Sequence, residues 1–83
     1  AGQVFIENDV SDTHTVIEVV GRDRVGFLYA VTHALSEAAL TIGSAHISTY
    51  GVQAVDVFYV KDPFGLKITH EKKQQQLRDA LLT

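Results

Sequence analysis

The hydrophobic period of this chain changes from two to about 3.6 across a short glycine-containing segment, and this change constrains the fold more than any other feature. Over residues 13–20 the side chains alternate between two faces, as they do in a β-strand. Over residues 25–40 apolar side chains recur at steps of three and four, which predicts an amphipathic helix. Residues 21–26 therefore predict a strand that leads directly into a helix, with Asp23 as the N-cap.

Similar patterns predict three more strands and a second helix. The predicted strands are residues 4–6, 42–50 and 54–60, and the predicted second helix is residues 70–82. Turn formers follow the first strand at 8–12, Gly51 closes a tight hairpin, and Thr69 is the predicted cap of the second helix. Leu77, Ala80 and Leu81 form the apolar stripe of that helix.

The order β-β-α-β-β-α predicts an α+β fold, a two-layer ferredoxin-like sandwich with a four-stranded antiparallel sheet and both helices on one face. We expect the N-terminal run at about 3–8 to occupy the sheet edge that a last strand fills in the β-α-β-β-α-β order, which makes the arrangement permuted. The right-handed crossover rule leads us to expect the strands at 13–20 and 54–60 to be parallel neighbours.

Side-chain alternation also assigns the two faces of the sheet. We expect Phe58 and Val60 to point toward the helices. The opposite face then carries an apolar surface that a monomer seldom leaves in water. Its members are Val16, Val20, Val55, Val57 and Tyr59.

Composition excludes several classes of protein. The 83 residues suit a single domain with no room for a second, and the lack of cysteine excludes disulfides and thiolate chemistry. A net charge of -3 argues against binding to nucleic-acid phosphates, and no apolar run approaches the ~20 residues that span a bilayer. Because the chain lacks methionine and a secretory signal pattern, we expect a cytoplasmic piece of a larger protein.

The sequence contains no recognisable arrangement of catalytic residues. His14, His33, His46 and His70 are scattered without metal-ligand spacing, and no nucleophile or phosphate-loop motif appears. Nucleic-acid stacking is also disfavoured, since the adjacent aromatic residues at 58 and 59 point to opposite faces of a strand. We therefore expect no catalytic residue, no metal and no cofactor in this domain.

The loop at 21–26 is the one segment whose chemistry suits a small ligand. Amides in the first turn of a helix hold carboxylates, Gly26 allows close approach of the backbone, and Asp23 suits an ammonium group. A free amino acid carries both of those charges. The alternative is structural: an N-cap aspartate, two solvated arginines and a packing glycine.

Three motifs in this order resemble the ACT domain family, whose members are regulatory modules that bind amino acids. The first is Gly-Arg-Asp-Arg-x-Gly-Phe-Leu-Tyr at 21–29, followed by Ala-Leu-Ser-Glu at 34–37. The last is Ile-x-Ser-Ala-His-Ile-Ser-Thr-Tyr-Gly at 42–51, and the likeness continues through 54–60 and Asp-x-Phe-Gly at 62–65. Within the family, the chain is similar to the C-terminal ACT domain of enzymes that modify the nitrogen-regulatory PII protein.

That resemblance implies a glutamine-sensing domain that allosterically controls uridylylation and deuridylylation of PII by a parent nucleotidyltransferase with uridylyl-removing hydrolase activity. The parent would use Mg²⁺ and UTP, and this domain would pair with a second ACT domain or with itself. The resemblance places the ligand-binding residues at Asp23, Arg24, Val25, Gly26, Phe27, Leu28, Thr41 and Ile42. Two alternatives remain: an ACT domain that serves assembly without binding ligand, and a small stand-alone enzyme. We expect neither nucleic-acid nor membrane partners.

Overall fold

The computed structural model describes residues 2–22 and 26–82, which form the predicted order of four strands and two helices. The strands are β1 (Gln3–Glu7), β2 (Thr15–Arg22), β3 (Thr41–Tyr50) and β4 (Gln53–Lys61), and the helices are α1 (Phe27–Glu37) and α2 (Glu71–Leu82). None of the described helices has both the length and the apolar character needed to cross a membrane.

The sheet has the strand order β1-β2-β4-β3, and every neighbouring pair is antiparallel. The expectation that the second and fourth strands are parallel neighbours is therefore wrong. The crossover connection runs from β2 through α1 to β3, so the parallel relation holds between β2 and β3. The hairpin after β3 then reverses the chain, and β4 lies between those two strands, antiparallel to both.

The N-terminal strand occupies the predicted edge position beside β2. β1 pairs with β2 in a register that joins Gln3 to Val20 and Glu7 to Val16. The permuted arrangement expected from the sequence is consistent with this pairing. β2 begins at Thr15 rather than at residue 13, because the backbone amides of Thr13 and His14 donate hydrogen bonds to the Ser11 hydroxyl in the preceding turn.

The hydrophobic core lies between the sheet and the two helices. Phe58 and Val60 point into it as expected, together with Ile17 and Val19 from β2. The helices contribute Phe27, Val31 and Leu35 from α1 and Leu77 and Leu81 from α2. Ala80, the third member of the predicted α2 stripe, is exposed. On the opposite sheet face, four of the five apolar residues predicted from alternation are half-buried, and Val16 is buried.

The helices lie mainly over β1 and β2 and leave β3 uncovered. α2 packs against β1, and α1 packs against α2 and β2. The side chains of β3 are exposed along nearly its whole length, and Ile42 and Ile47 remain in solvent on the same side of the sheet as the helices. The outer edge of β3 is also one of the two unpaired edges of the described sheet, and the other is the outer edge of β1. One flank of the fold is therefore open.

Both helices begin later than predicted. α1 starts at Phe27 rather than at residue 25 because Gly26, with φ of 84°, adopts a left-handed conformation that a right-handed helix does not contain. Its N-cap is accordingly Gly26 rather than Asp23, which lies outside the described residues. α2 starts at Glu71, and its first backbone hydrogen bond joins Gln74 N to His70 O, so Thr69 precedes the cap position.

Candidate functional site

The predicted ligand loop lies at the end of the sheet where β2 stops and α1 begins. Of its residues, Gly26, Phe27 and Leu28 belong to the described part of the chain, whereas Asp23, Arg24 and Val25 lie outside it. The first described helical hydrogen bond runs from Ala30 N to Gly26 O at 2.9 Å. Because α1 starts at Phe27, the amides at 27–29 have no carbonyl partner within the helix itself, as at any helix N-terminus.

The electrostatics of this helix end favour an anion. Gly26 has no side chain with which to cap α1, and the first turn contains no acidic residue. The partial positive charge of the α1 N-terminus is thus not offset by a carboxylate of its own first turn. A carboxylate from a small molecule is the kind of group that such a helix end binds.

Phe27 connects the start of α1 to the end of β2. Its ring is buried and lies so close to Gly21 that a Cβ atom at Gly21 would come within 2.4 Å of the Phe27 Cε1. Only glycine leaves room for the ring at this point. The contact holds the start of α1 against the end of β2.

A cleft of about 430 Å³ opens beside this contact. Its described lining includes Phe27, a ligand-binding residue that the resemblance implies, and Gly21 and Arg22 of the predicted ligand loop at 21–26. The other lining residues are Gly2, Gln3, Val20, Val52 and Gln53. The lining residues outside that loop come from the N-terminal segment, from β2, from the β3–β4 turn and from the start of β4, which are far apart in sequence, so no local motif predicts them. Arg22 supplies a cationic side chain, and Gln3 and Gln53 supply amides.

Thr41 and Ile42, the two remaining predicted site residues, lie at the other end of the sheet. Gly21 is paired with Ala54, whereas Ile42 is paired with Val60, six residues further along β4. At about 3.4 Å per residue, the separation is on the order of 20 Å. One chain therefore does not bring all the predicted residues together.

Metal chemistry finds no support among residues 2–22 and 26–82. No group of three or more histidine or acidic side chains in these ranges is arranged to hold a metal ion. His14 and His46 instead approach the ring of Tyr59 edge-on, with centroid distances of 6.4 and 5.8 Å. His33 stacks on Tyr29 and lies 3.6 Å from Glu37 on the surface of α1.

Comparison with known proteins reveals close relatives of this chain. It is 62% identical over 80 residues to the bifunctional uridylyltransferase/uridylyl-removing enzyme of Azospirillum brasilense, a match that covers 96% of this chain and 9% of that protein. The enzymes of the same name from Rhodospirillum rubrum and Gluconobacter oxydans are each 60% identical, covering 95% and 96% of the chain and 8% of each protein. The chain thus spans about a tenth of the length of these relatives.

The fold also has a counterpart among solved structures. A crystal structure of an unknown protein from Galdieria sulphuraria matches with a TM-score of 0.63 and 24% identity, covering 80% of this chain and 37% of that one. The family model described as an ACR9-like, ACT-like domain matches residues 3–83. This chain therefore belongs to the family of ACT-like domains.

Proposed function

We propose that this chain is a regulatory domain that binds free glutamine between two ACT-like domains and thereby controls uridylylation and deuridylylation of the PII protein by a longer enzyme. The observation that carries the proposal is its 62% identity over 80 residues to an enzyme that is named for those two opposed activities. The catalytic work, with UTP and Mg²⁺, would belong to the rest of that enzyme. This domain would act from the cytoplasm as its sensor.

The start of α1 supports the binding of an amino acid. The amides at 27–29 and the positive helix end suit an α-carboxylate. Asp23 and Arg24 precede this helix in the sequence, and the carboxylate of Asp23 suits the ammonium group of the same ligand. The adjoining cleft, with the amide side chains of Gln3 and Gln53, offers hydrogen-bond partners of the kind a side-chain amide requires.

Within one chain, Thr41 and Ile42 lie far from the predicted site residues at the start of α1. Pairing of two domains would bring the first group of one domain to the same end as the second group of its partner. β3 is parallel to β2, so Thr41 lies at the end of the sheet opposite the start of α1. If two β3 edges paired antiparallel about a twofold axis, the start of one strand would lie beside the end of the other. The Thr41 end of each domain would then lie at the same end of the joined sheet as the α1 start of its partner.

Regulation follows if glutamine binds one arrangement of the paired domains more tightly than another. A ligand shifts a conformational equilibrium only through such a difference in affinity. A metabolite sensed at around millimolar concentration needs only about 4 kcal/mol of binding free energy. A few charge-assisted hydrogen bonds at the α1 end are sufficient for that.

Calorimetric titration of the 83-residue chain with glutamine, combined with light scattering, tests the proposal. Glutamate, serine and phenylalanine serve as controls, and glutamate is the most informative because it differs from glutamine only at the side-chain terminus. Saturable binding of glutamine alone by a dimer is the expected result. In the intact enzyme, Asp23→Ala should abolish the response to glutamine, and an unchanged response would show that this loop is not the sensor.

An assembly role without ligand is the second candidate, and the exposed flank of β3 favours it. Ile42 and Ile47 provide apolar contact surface whether or not glutamine is present. A folded dimer that binds none of the four amino acids would support this role and contradict the glutamine proposal.

A further inference from the structure

The connection between β4 and α2 displays two apolar side chains on the surface, away from the glutamine site proposed above. Phe64 is 86% exposed, the highest value for any large hydrophobic side chain in the described ranges, and Leu66 is 63% exposed. Exposed aromatic residues of this kind are enriched at the centres of protein interfaces. The segment is therefore a candidate contact surface.

The backbone of this turn is held by hydrogen bonds of its own. Asp62 Oδ1 accepts from the amides of Phe64 at 2.8 Å and Leu66 at 2.9 Å. Asp62 N donates to Leu66 O at 2.8 Å, and Gly65 N donates to Asp62 O at 3.0 Å. Gly65 has φ of 79°, which glycine adopts without strain. The two apolar side chains are thus presented from an ordered frame, which lowers the entropy lost on binding.

A cleft of about 440 Å³ lies against this turn and extends to the first turn of α2. Phe64 and Leu66 belong to its apolar part, and the polar part of the lining is formed by Asp62, Lys67, Thr69, His70 and Lys73. Ile68, which is buried in the core, also belongs to the lining of this cleft. A volume in this range accommodates a partner side chain, and most ligand-binding pockets have a similar mixture of apolar walls and a few polar groups.

Charge specifies the chemistry of the partner. Residues 61–73 contain four lysines and two carboxylates, a formal charge of +2, whereas the whole chain carries -3. The rest of the chain therefore carries -5. Asp62, the carboxylate in the cleft lining, already accepts two backbone hydrogen bonds through Oδ1. The described lining of the cleft contains two lysines and one carboxylate, a formal charge of +1 with histidine neutral, so it is a cationic region in an acidic molecule and is complementary to negative charge.

We propose that this turn and cleft dock an acidic polypeptide segment, which inserts one aromatic or aliphatic side chain beside Phe64 and Leu66 and places carboxylates near Lys67 and Lys73. The concave shape favours a peptide side chain over a flat lipid surface. The inference uses none of the residues of the proposed glutamine site, so either proposal stands if the other fails.

Selection of random peptides displayed on phage against the immobilised 83-residue chain tests this proposal. Phe64→Ser protein present in solution as a competitor removes peptides that bind elsewhere. We expect the enriched peptides to combine an aromatic residue or leucine with two or more acidic residues. When they are synthesised, fluorescence anisotropy should show binding that Phe64→Ser and Lys73→Glu each weaken about tenfold or more. Added salt should weaken it further.

Tyr50→Ser is the matched control, because Tyr50 is also an exposed aromatic residue but lies at the end of β3, at the other end of the sheet. It should leave peptide affinity unchanged. Circular dichroism and thermal unfolding of each variant establish that the fold is retained. The proposal is overturned by a lack of enrichment, by enriched peptides without acidic residues, or by peptides that bind Phe64→Ser as tightly as the unmodified chain. It is also overturned if Phe64 mediates binding to anionic phosphatidylserine vesicles and to no peptide.

Discussion

Thr15 joins three segments of the chain through one fully buried hydroxyl group at the start of β2. The hydroxyl accepts a hydrogen bond from Ile68 N at 2.8 Å and donates one to Asn8 Oδ1 at 2.6 Å. Asn8 Nδ2 and Gln74 Nε2 both donate to Ile68 O, at 2.9 and 2.8 Å. The segment that leads into α2 is thereby attached to the β1–β2 turn by side chains rather than by sheet pairing.

Thr15→Val tests the contribution of this hydroxyl to stability. The substitution keeps a β-branched side chain of similar size but leaves Ile68 N and Asn8 Oδ1 without their partner. We expect the free energy of unfolding to fall by about 1–3 kcal/mol in urea titrations. Thr49→Val, at an exposed position of β3, is the matched control and should change it by about 0.5 kcal/mol or less. Equal effects of the two substitutions would contradict the assigned role.

At the level of secondary structure, the end of α1 is unusual because the chain leaves the helix through a left-handed alanine. Ala38 has φ of -80°, and Ala39, the next residue, has φ of 61°. The turn is closed by hydrogen bonds from Ala39 N to Ser36 O at 2.9 Å and from Leu40 N to Leu35 O at 3.2 Å. This is the position where helices most often place glycine.

Ala39→Gly should therefore stabilise the protein. Glycine removes the steric cost of a left-handed alanine, although it also makes the unfolded chain more flexible. We expect a net gain of about 0.5–1 kcal/mol in the free energy of unfolding, measured by thermal denaturation. Ala38→Gly is the matched control and should destabilise, since Ala38 has a negative φ that alanine adopts without strain. A loss of stability from Ala39→Gly would refute the explanation.

The six elements and the two ends of α1 show which parts of the fold the sequence predicts. Hydrophobic periodicity identifies all six elements and the inward direction of Phe58 and Val60, because the side chains that pack in the core must be apolar. The end of α1 is not predicted, since Ala38 and Ala39 carry no stop signal and continue the apolar spacing of the helix. The start of α1 is also not predicted, because the sequence does not show that Gly26 adopts a left-handed conformation and so sets the helix boundary.

The candidate site was predictable only in part. Gly26, Phe27 and Leu28 are adjacent in sequence and stay together in the fold. Thr41 and Ile42 are placed by topology, and the parallel relation between β2 and β3 sends them to the opposite end of the sheet. The cleft residues from β1 and the β3–β4 turn meet only through strand pairing, so no local pattern indicates them.

For the whole molecule, the open flank along β3 is the feature most relevant to assembly. The ten residues of β3 include no lysine, proline or acidic side chain, which are the residues that usually protect an edge strand from pairing with another chain. Its helix-side face also exposes Ile47 to 49%. An edge with these properties is suited to pairing with a second domain.

Ile47→Lys should therefore reduce self-association of the isolated chain. A lysine on the edge strand adds charge at the proposed contact and removes apolar area. We expect light scattering to show a dimer for the unmodified chain and a monomer for the variant. Val10→Lys makes the same kind of change at an exposed position of the β1–β2 turn and should leave the dimer intact. A dimer that survives Ile47→Lys would place the contact elsewhere.

The two ends of the described chain lie at the same end of the fold as the candidate cleft. β1 begins opposite Val20, near the end of β2, and Gly2 contributes to the cleft lining. α2 follows β4, which runs the other way, so its 12 residues return over about 18 Å toward the same end. Flanking polypeptide joined at either terminus would thus leave from this end of the fold, and at the N-terminus it would leave directly beside the cleft. A displacement of Gly2 or Gln3 in the cleft lining would therefore act on such an N-terminal connection directly, without passing through the core.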